Sequence, residues 1–260
     1  MKKIVLLDKI YNIPPEKSKH EVATRYLKYL HEITKGFSKT KISIKKLRNF
    51  DNRFEILIQG PEETFVYNLL RNEIGSIIDF DDVKSGNIYK GTLVDVGKYG
   101  FGLFVDCGIV NPKTDVLMSL NDLRGQLCKG KKISLREIVK TYDLMDHFPF
   151  SIKITRSDEV KKELQGIIHE DSLTLFEKLT NEHLDAVFVS GASKNQFKKA
   201  IIKKGHFRDI VSIERFGFLE HAVILRENTT AQGIIADIGR YLRGCKLSAL
   251  KHDKIEQLFT

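Results

Sequence analysis

Three observations predict an α+β fold, in which a central β-barrel is flanked by two small β-α-β-β-α units. Hydrophobic residues recur at helical spacing toward both ends of the chain. Between Ile88 and Ile109 the texture changes to glycine, valine and aromatic residues in strand-like alternation. Glycines such as Gly36, Gly75 and Gly244 stand where the helical patterns stop, as helix ends require. The acidic stretch Asp79-Phe80-Asp81-Asp82 closes the first unit, and Gly86 opens the new texture. The domains expected are therefore 1–82, an N-terminal α+β unit; 83–156, the barrel; and 157–260, a C-terminal α+β unit.

The first unit opens with an apolar run over 3–8, a short buried strand. Pro14-Pro15-Glu16 then predicts a helix start, because proline is tolerated in the first turn and acid suits the positive end of the helix dipole. Val22, Tyr26, Leu27, Leu30 and Ile33 follow as its apolar stripe. Strands are expected at 40–47 and 53–58. A second helix opens at Gly60-Pro61-Glu62-Glu63 with Phe65, Val66, Leu69, Leu70 and Ile74 on one face.

Barrel strands are expected at 88–96, 100–109, 114–119 and 149–155, with a helix near 134–144 between the last two. Beyond 157 the pattern returns to a helix over Leu173–Leu179, a buried strand at Ala186-Val187-Phe188-Val189 and a helix capped by Ser193. Strands near 209–215 and 219–226 precede a final helix that starts at Thr229 or Thr230. Gly233 and Gly239 inside that helix each cost about 1 kcal/mol relative to alanine, and close packing on a strand accounts for them. The two flanks share an order of elements without sharing a residue-level repeat.

The run Gly91-Thr92-Leu93-Val94-Asp95-Val96-Gly97-Lys98-Tyr99-Gly100-Phe101-Gly102-Leu103-Phe104-Val105-Asp106 resembles the S1 RNA-binding domain, an OB-fold relative. Phe101-Gly102-Leu103-Phe104-Val105 matches its second strand, and Val116 to Leu123 looks like its third strand and the turn that follows. The resemblance implies an S1-like OB barrel in which Phe101 and Phe104 stack bases, with Tyr99 beside them and Lys90 and Lys98 near phosphates. Residues three apart in a regular strand face opposite ways, so a bulge allowed by Gly100 and Gly102 is expected to bring both rings to one face. The chain departs from the S1 pattern by extra residues before the phenylalanine motif, by Ser119 at a position often held by histidine, and by the insert Ile133–Met145. As a whole it resembles an uncharacterised archaeal family with a central S1-like segment, on Asp95–Asp106 and on Gly205-His206-Phe207-Arg208-Asp209-Ile210-Val211-Ser212. That resemblance implies a cytoplasmic role in RNA metabolism or translation.

The formal charge of +9 points to an anionic partner, although lysine enrichment also raises it in low-GC genomes. Two windows hold no acid at all. Lys35–Phe50 carries Lys41, Lys45 and Lys46 among its cations, and Ser193–Arg208 carries Lys194, Lys198, Lys199, Lys203 and Arg208. Lysine-rich windows supply phosphate affinity rather than base-specific readout, and a solvated helix face is the plainer alternative.

The three cysteines, Cys107, Cys128 and Cys245, are widely spaced, which suits neither a disulfide framework nor a zinc site and fits a reducing compartment. Met1–Asp8 is too short an apolar run for a signal peptide, and no stretch is long enough to span a membrane. No phosphate-binding loop and no dinucleotide fingerprint is present, so no cofactor is called for. His221 reads as a satisfied core histidine, and His206 with Arg208 and Asp209 as a polar turn. The expected function is non-catalytic binding of structured RNA, such as ribosomal RNA. The alternatives are a methyltransferase-like RNA-modifying enzyme, or a factor docking on the ribosome or RNA polymerase.

Overall fold

The computed structural model describes residues 1–12 and 19–258, and the chain falls into two compact units, Met1–Ile78 and Asp79–Thr260. The first contains β1 (Lys2–Lys9), α1 (Lys19–Ile33), β2 (Lys41–Leu47), β3 (Arg53–Gln59) and α2 (Glu63–Glu73). Its strands form an antiparallel sheet in the order β1-β3-β2. Val22, Tyr26, Tyr29 and Leu30 of α1 and Val66 and Leu70 of α2 are the buried helical residues, spaced to make one stripe on each helix. They cover the face of the sheet that carries Ile4, Ile42, Phe54, Ile56 and Ile58, with Tyr26 and Phe54 rings 4.9 Å apart. Full burial of each such side chain stabilises the unit by about 1.5–3 kcal/mol. The Tyr26 hydroxyl, which would be costly to bury alone, donates to Asp8 at 3.0 Å. After α2 the chain returns to the free edge of β1, where Ser76 bridges Leu6. The expected helix start at Pro14-Pro15-Glu16 lies outside the described residues.

After the two-residue β4 (Ile78–Asp79), a barrel is built from β5 (Ile88–Val94), β6 (Gly102–Val110), β7 (Thr114–Ser119), β8 (Pro149–Asp158) and β9 (Glu163–Ile168). Neighbours run β6-β5-β8-β9-β7 and back to β6, so the five strands close on themselves. The closing pair β7–β9 is parallel, through Val116↔Leu164 and Leu117↔Gln165, and every other pair in the ring is antiparallel. This is the OB arrangement. Leu93, Leu103, Val105, Val116, Met118, Ile152, Ile154, Leu164 and Ile168 are buried and alternate with outward residues. Gly91 sits where the wall is tightest: a Cβ there would lie 2.5 Å from Val105 Cγ1.

The sequence pattern ends the barrel at 156, whereas the structure carries it to Ile168. The closing strand hides because Glu163, Gln165 and Gly166 leave it few apolar positions and the preceding hairpin turn is polar but for the exposed Val160. That turn is fixed by Asp158 Oδ1, which accepts from Lys161 N–H at 2.9 Å.

The stretch between β7 and β8 forms two helices, α3 (Leu120–Leu127) and α4 (Leu135–Thr141). Ser119 caps α3 by accepting from Asp122 N–H, so at this departure from the S1 pattern the side chain serves the backbone. Leu123, Leu127, Leu135, Ile138 and Tyr142 are buried. Gln126 ties α3 to the end of β9 by accepting from Ile168 N–H at 3.0 Å and donating to Ile168 C=O at 2.6 Å. The insert at 133–145 is therefore α4 and its exit, the second half of the connection between the third and fourth barrel strands.

The remainder comprises α5 (Glu170–Asn181), β10 (Ala186–Ser190), α6 (Lys194–Lys203), β11 (Ile210–Arg215), β12 (Glu220–Leu225), α7 (Ala231–Ile238), β13 (Lys246–Leu250) and α8 (His252–Gln257). Its antiparallel sheet has the order β11-β12-β10-β13. Val187, Val189, Val223 and Leu225 face Phe197, Ala200 and Ile201 of α6 and Ile234 and Ile238 of α7. Phe188, on the other face, packs 4.5 Å from Phe148 at the entry to β8, and Phe148 stacks on Phe176 of α5. The C-terminal sheet thus rests on the barrel side of the same unit. Among the described residues no helix is long and apolar enough to cross a membrane.

Candidate nucleic-acid interface

On the outward side of β5, β6 and β7, the side on which OB barrels bind their ligands, one row of residues is apolar. Register sets Phe104 between Val94 and Leu117, all three half-buried, while Leu103 and Val105 turn into the core. Phe104 therefore belongs to the outer face. Phe101 needs no bulge to join it, since the strand begins only at Gly102 and Phe101 ends the preceding loop. The register of β6 is regular from Gly102 to Val105, and its irregularity falls later, between Val105 and Ile109. Gly102 is required by closeness rather than by curvature: a Cβ there would overlap the Met118 carbonyl oxygen and lie 2.7 Å from Leu117 Cδ1.

Tyr99, Phe101 and Phe104 form one cluster, with ring centroids 5.5 Å (99–101), 5.3 Å (99–104) and 6.0 Å (101–104) apart. Tyr99 is 38 % and Phe101 55 % exposed, a large apolar area to leave in water. Lys98 lies 5.3 Å over the Tyr99 ring and is salt-bridged to Asp95 at 3.1 Å. The hydrogen bond to Asp95, followed by that to Tyr99, pushes the Lys98 amine above its ordinary range, so it stays cationic. Lys90 is exposed on the outward row of β5, in register with Ser151.

The other sequence-predicted cations fall into separate places. Lys41, Lys45 and Lys46 lie on β2 of the first unit. Lys45 and Lys46 converge with Lys3 on the buried Glu55 of β3, at 3.0, 3.8 and 2.6 Å. The window is acid-free along the chain, but the sheet brings an acid in from the neighbouring strand. Lysine crowding shows in Lys3, whose amine is held below its usual range chiefly by Lys45. Lys194, Lys198, Lys199 and Lys203 are exposed on α6, and Arg208 on the turn after it. Sequence reasoning missed Tyr241, a partly exposed ring with Lys203 Nζ 4.7 Å, Arg240 Cζ 5.1 Å and Lys204 Nζ 5.7 Å from its centroid. Only the aromatic set in a stretch otherwise read as helix could have signalled it.

Two histidines of this unit diverge. His206 is held between Asp209 (2.8 Å) and Asp237 (2.9 Å), and the Asp209 hydrogen bond leads in raising its pKa. His221 is fully buried on β12, but it is not the well-satisfied core histidine the sequence suggested: among the described residues neither ring nitrogen makes a hydrogen bond of good geometry, and only the Ala192 backbone offers it a weak one. Burial first, then the nearby positive charges of Arg215 and Lys194, push it down to about 3, so it is neutral at ordinary pH. Among the described residues no disulfide is formed, and Cys107 and Cys128 are buried.

Several solved structures are similar to parts of the chain. MJ1198 from Methanocaldococcus jannaschii is 19% identical over 34% of this chain and 96% of its own, with a TM-score of 0.24. GSP13 from Bacillus subtilis is 19% identical over 34% of this chain and 56% of its own, with a TM-score of 0.24. The alpha subunit of aIF2 from Pyrococcus abyssi is 10% identical over 65% of this chain and 97% of its own, with a TM-score of 0.25. A search of curated protein sequences finds no match. Family models match residues 83–179, as the DUF2110 central domain, and residues 184–250, as the DUF2110 C-terminal domain. Together these matches take in the barrel with α5 and the C-terminal sheet, more than half of the chain, and the chain belongs to the DUF2110 family.

Proposed function

We propose that this protein binds RNA without catalysing a reaction on it, through unpaired bases laid on the outer face of the barrel. The observation that carries this reading is the cluster of Tyr99, Phe101 and Phe104 on the second strand and the preceding loop of a closed five-stranded barrel. Each base stacked on an exposed ring contributes about 1–3 kcal/mol, and the contact is tolerant of sequence because every base has a π-face. Lys98 beside the rings and the exposed lysines of α6 add salt-sensitive phosphate affinity. Structured RNA such as ribosomal RNA, in cytoplasmic RNA metabolism or translation, suits a protein that offers a stacking face together with dispersed cationic surfaces.

The test is affinity for single-stranded RNA, structured ribosomal RNA and duplex DNA across a salt series. Phe101→Ala and Tyr99→Ala, both at exposed positions, are expected to weaken RNA binding by about 1–3 kcal/mol each. They should leave thermal stability and the salt slope nearly unchanged. RNA affinity that is absent near physiological salt, or indifferent to both changes, would defeat the proposal.

A further inference from the structure

One carboxylate is shared by the aromatic loop of the barrel and the last strand of the C-terminal sheet. Asp146, in the segment leading into β8, accepts from Val96 N–H through Oδ1 at 2.9 Å, and its Oδ2 lies 3.3 Å from Lys246 Nζ. Val96 belongs to the loop that carries Lys98, Tyr99 and Phe101, and Lys246 is the first residue of β13. Asp143 reinforces the joint: its carbonyl accepts from Ser248 Oγ–H and its Oδ2 from Ala249 N–H, both at 2.6 Å. The start of β13 is thereby held beside the aromatic loop with a single aspartate between them.

Five residues before Lys246, the 3-10 turn Gly239–Tyr241 presents the ring around which Lys203, Lys204 and Arg240 gather. Chain length alone limits Tyr241 to about 18 Å from Lys246. Among the described residues none of the three cations forms a salt bridge, and the acids of this region, Asp209 and Asp237, are engaged by His206. Three like charges about one ring repel one another, and each gains only modest attraction from the ring at an exposed site. A phosphate relieves that repulsion, and the Tyr241 ring and the Arg240 guanidinium plane both suit an unstacked base.

We propose that a single-stranded RNA lying on Tyr99 and Phe101 continues past Lys246 to a second nucleotide subsite, where Tyr241 and Arg240 take a base and Lys203 and Lys204 a phosphate. The proposal rests on the barrel reading and extends it from one face to a path across two sheets of the same unit.

Oligonucleotide length separates the two ideas. Single-stranded RNAs of about five nucleotides, near the lower end of the site size of one OB barrel, and of about twelve, long enough to run on to a second subsite, would be titrated against the full chain by fluorescence anisotropy. Tyr241→Ala and the double change Lys203→Gln/Arg240→Gln are each expected to weaken the longer RNA roughly tenfold and leave the shorter one unmoved. Phe101→Ala should weaken both. The double change keeps the ring in place, so it decides the matter if Tyr241→Ala disturbs folding. Long-RNA affinity indifferent to the double change, with Phe101→Ala still damaging, would overturn the second subsite and leave the barrel reading standing. Failure of the wild type to bind either RNA would bring down the barrel reading, and the path with it.

Discussion

The N-terminal and C-terminal sheets are the same plait used in two ways. In the first unit the strands β1, β2 and β3 lie in the order β1-β3-β2, and after α2 the chain returns to the free edge of β1 with one bridge, Leu6 to Ser76. In the C-terminal part β10, β11 and β12 lie in the corresponding order, and after α7 the chain returns to the free edge of β10 as the full strand β13. Both therefore trace the ferredoxin-like βαββαβ path, one with a vestigial and one with a complete fourth strand. Each buries one face under two helices. They differ on the other face: β10 and β12 pair Phe188 with Ala222 and rest against Phe148, whereas β1 and β3 pair Val5 with Glu55, beneath Lys3, Lys45 and Lys46. Topology fixes the helical side of such a plait. What the second face contains decides whether it becomes an internal joint or a charged surface.

The largest expected break in this comparison is Phe188→Ala. The ring is fully buried between its sheet and Phe148, so its loss should cost about 3–5 kcal/mol in denaturant titrations. Val5→Ala on the corresponding face of the first unit, at a half-buried position, should cost about 1 kcal/mol. Equal costs would mean that both second faces are internal.

Next comes the pH response of the C-terminal sheet. His221 has a folded pKa near 3, below the usual 6.5, so the stability linked to its neutral form is complete above about 6.5 and declines as pH falls toward 3. His206, raised by its aspartates, acts in the opposite direction: its contribution is complete below about 6.5 and is lost as pH rises through the raised value. His221→Leu should flatten the acid limb of a melting-temperature profile. At neutral pH it should leave stability equal or higher, because it removes a buried polar ring whose nitrogens lack well-formed hydrogen bonds. An unchanged acid limb would show that His221 does not set it.

The smallest effect is expected at Glu55→Gln, which leaves Lys3, Lys45 and Lys46 facing one another without their carboxylate. A loss of about 0.5–1 kcal/mol that shrinks as salt is raised would sharpen the picture of a charged outer face. A loss independent of salt would point instead to packing.

Much of the local structure was legible because it depends on residues close in sequence. The Ser193 cap, the stripe of Val66 and Leu70 and the alternation of β5 all appear where spacing predicts them. The site was legible in part: Phe101, Phe104 and Tyr99 stood together in the motif and stand together in space. What stayed hidden depends on distant partners. Strand β9 was obscured by charge and glycine, and the complement of the Lys45–Lys46 run was Glu55 on the next strand. Tyr241 acquires its cations only when α6 returns beside it.

The helix caps, the helical stripes and the apolar face of each recognised element are local properties of the chain, because hydrogen bonding and side-chain direction repeat over a few residues. Tertiary structure alone decided that the barrel closes through a parallel β7–β9 pair, and that α4 leads into the joint at Asp143 and Asp146. It also decided that one plait hides its second face while the other covers it with lysines. The physical reason is that closure and face burial follow from contacts between residues far apart in the chain, and neither period nor composition encodes those pairings.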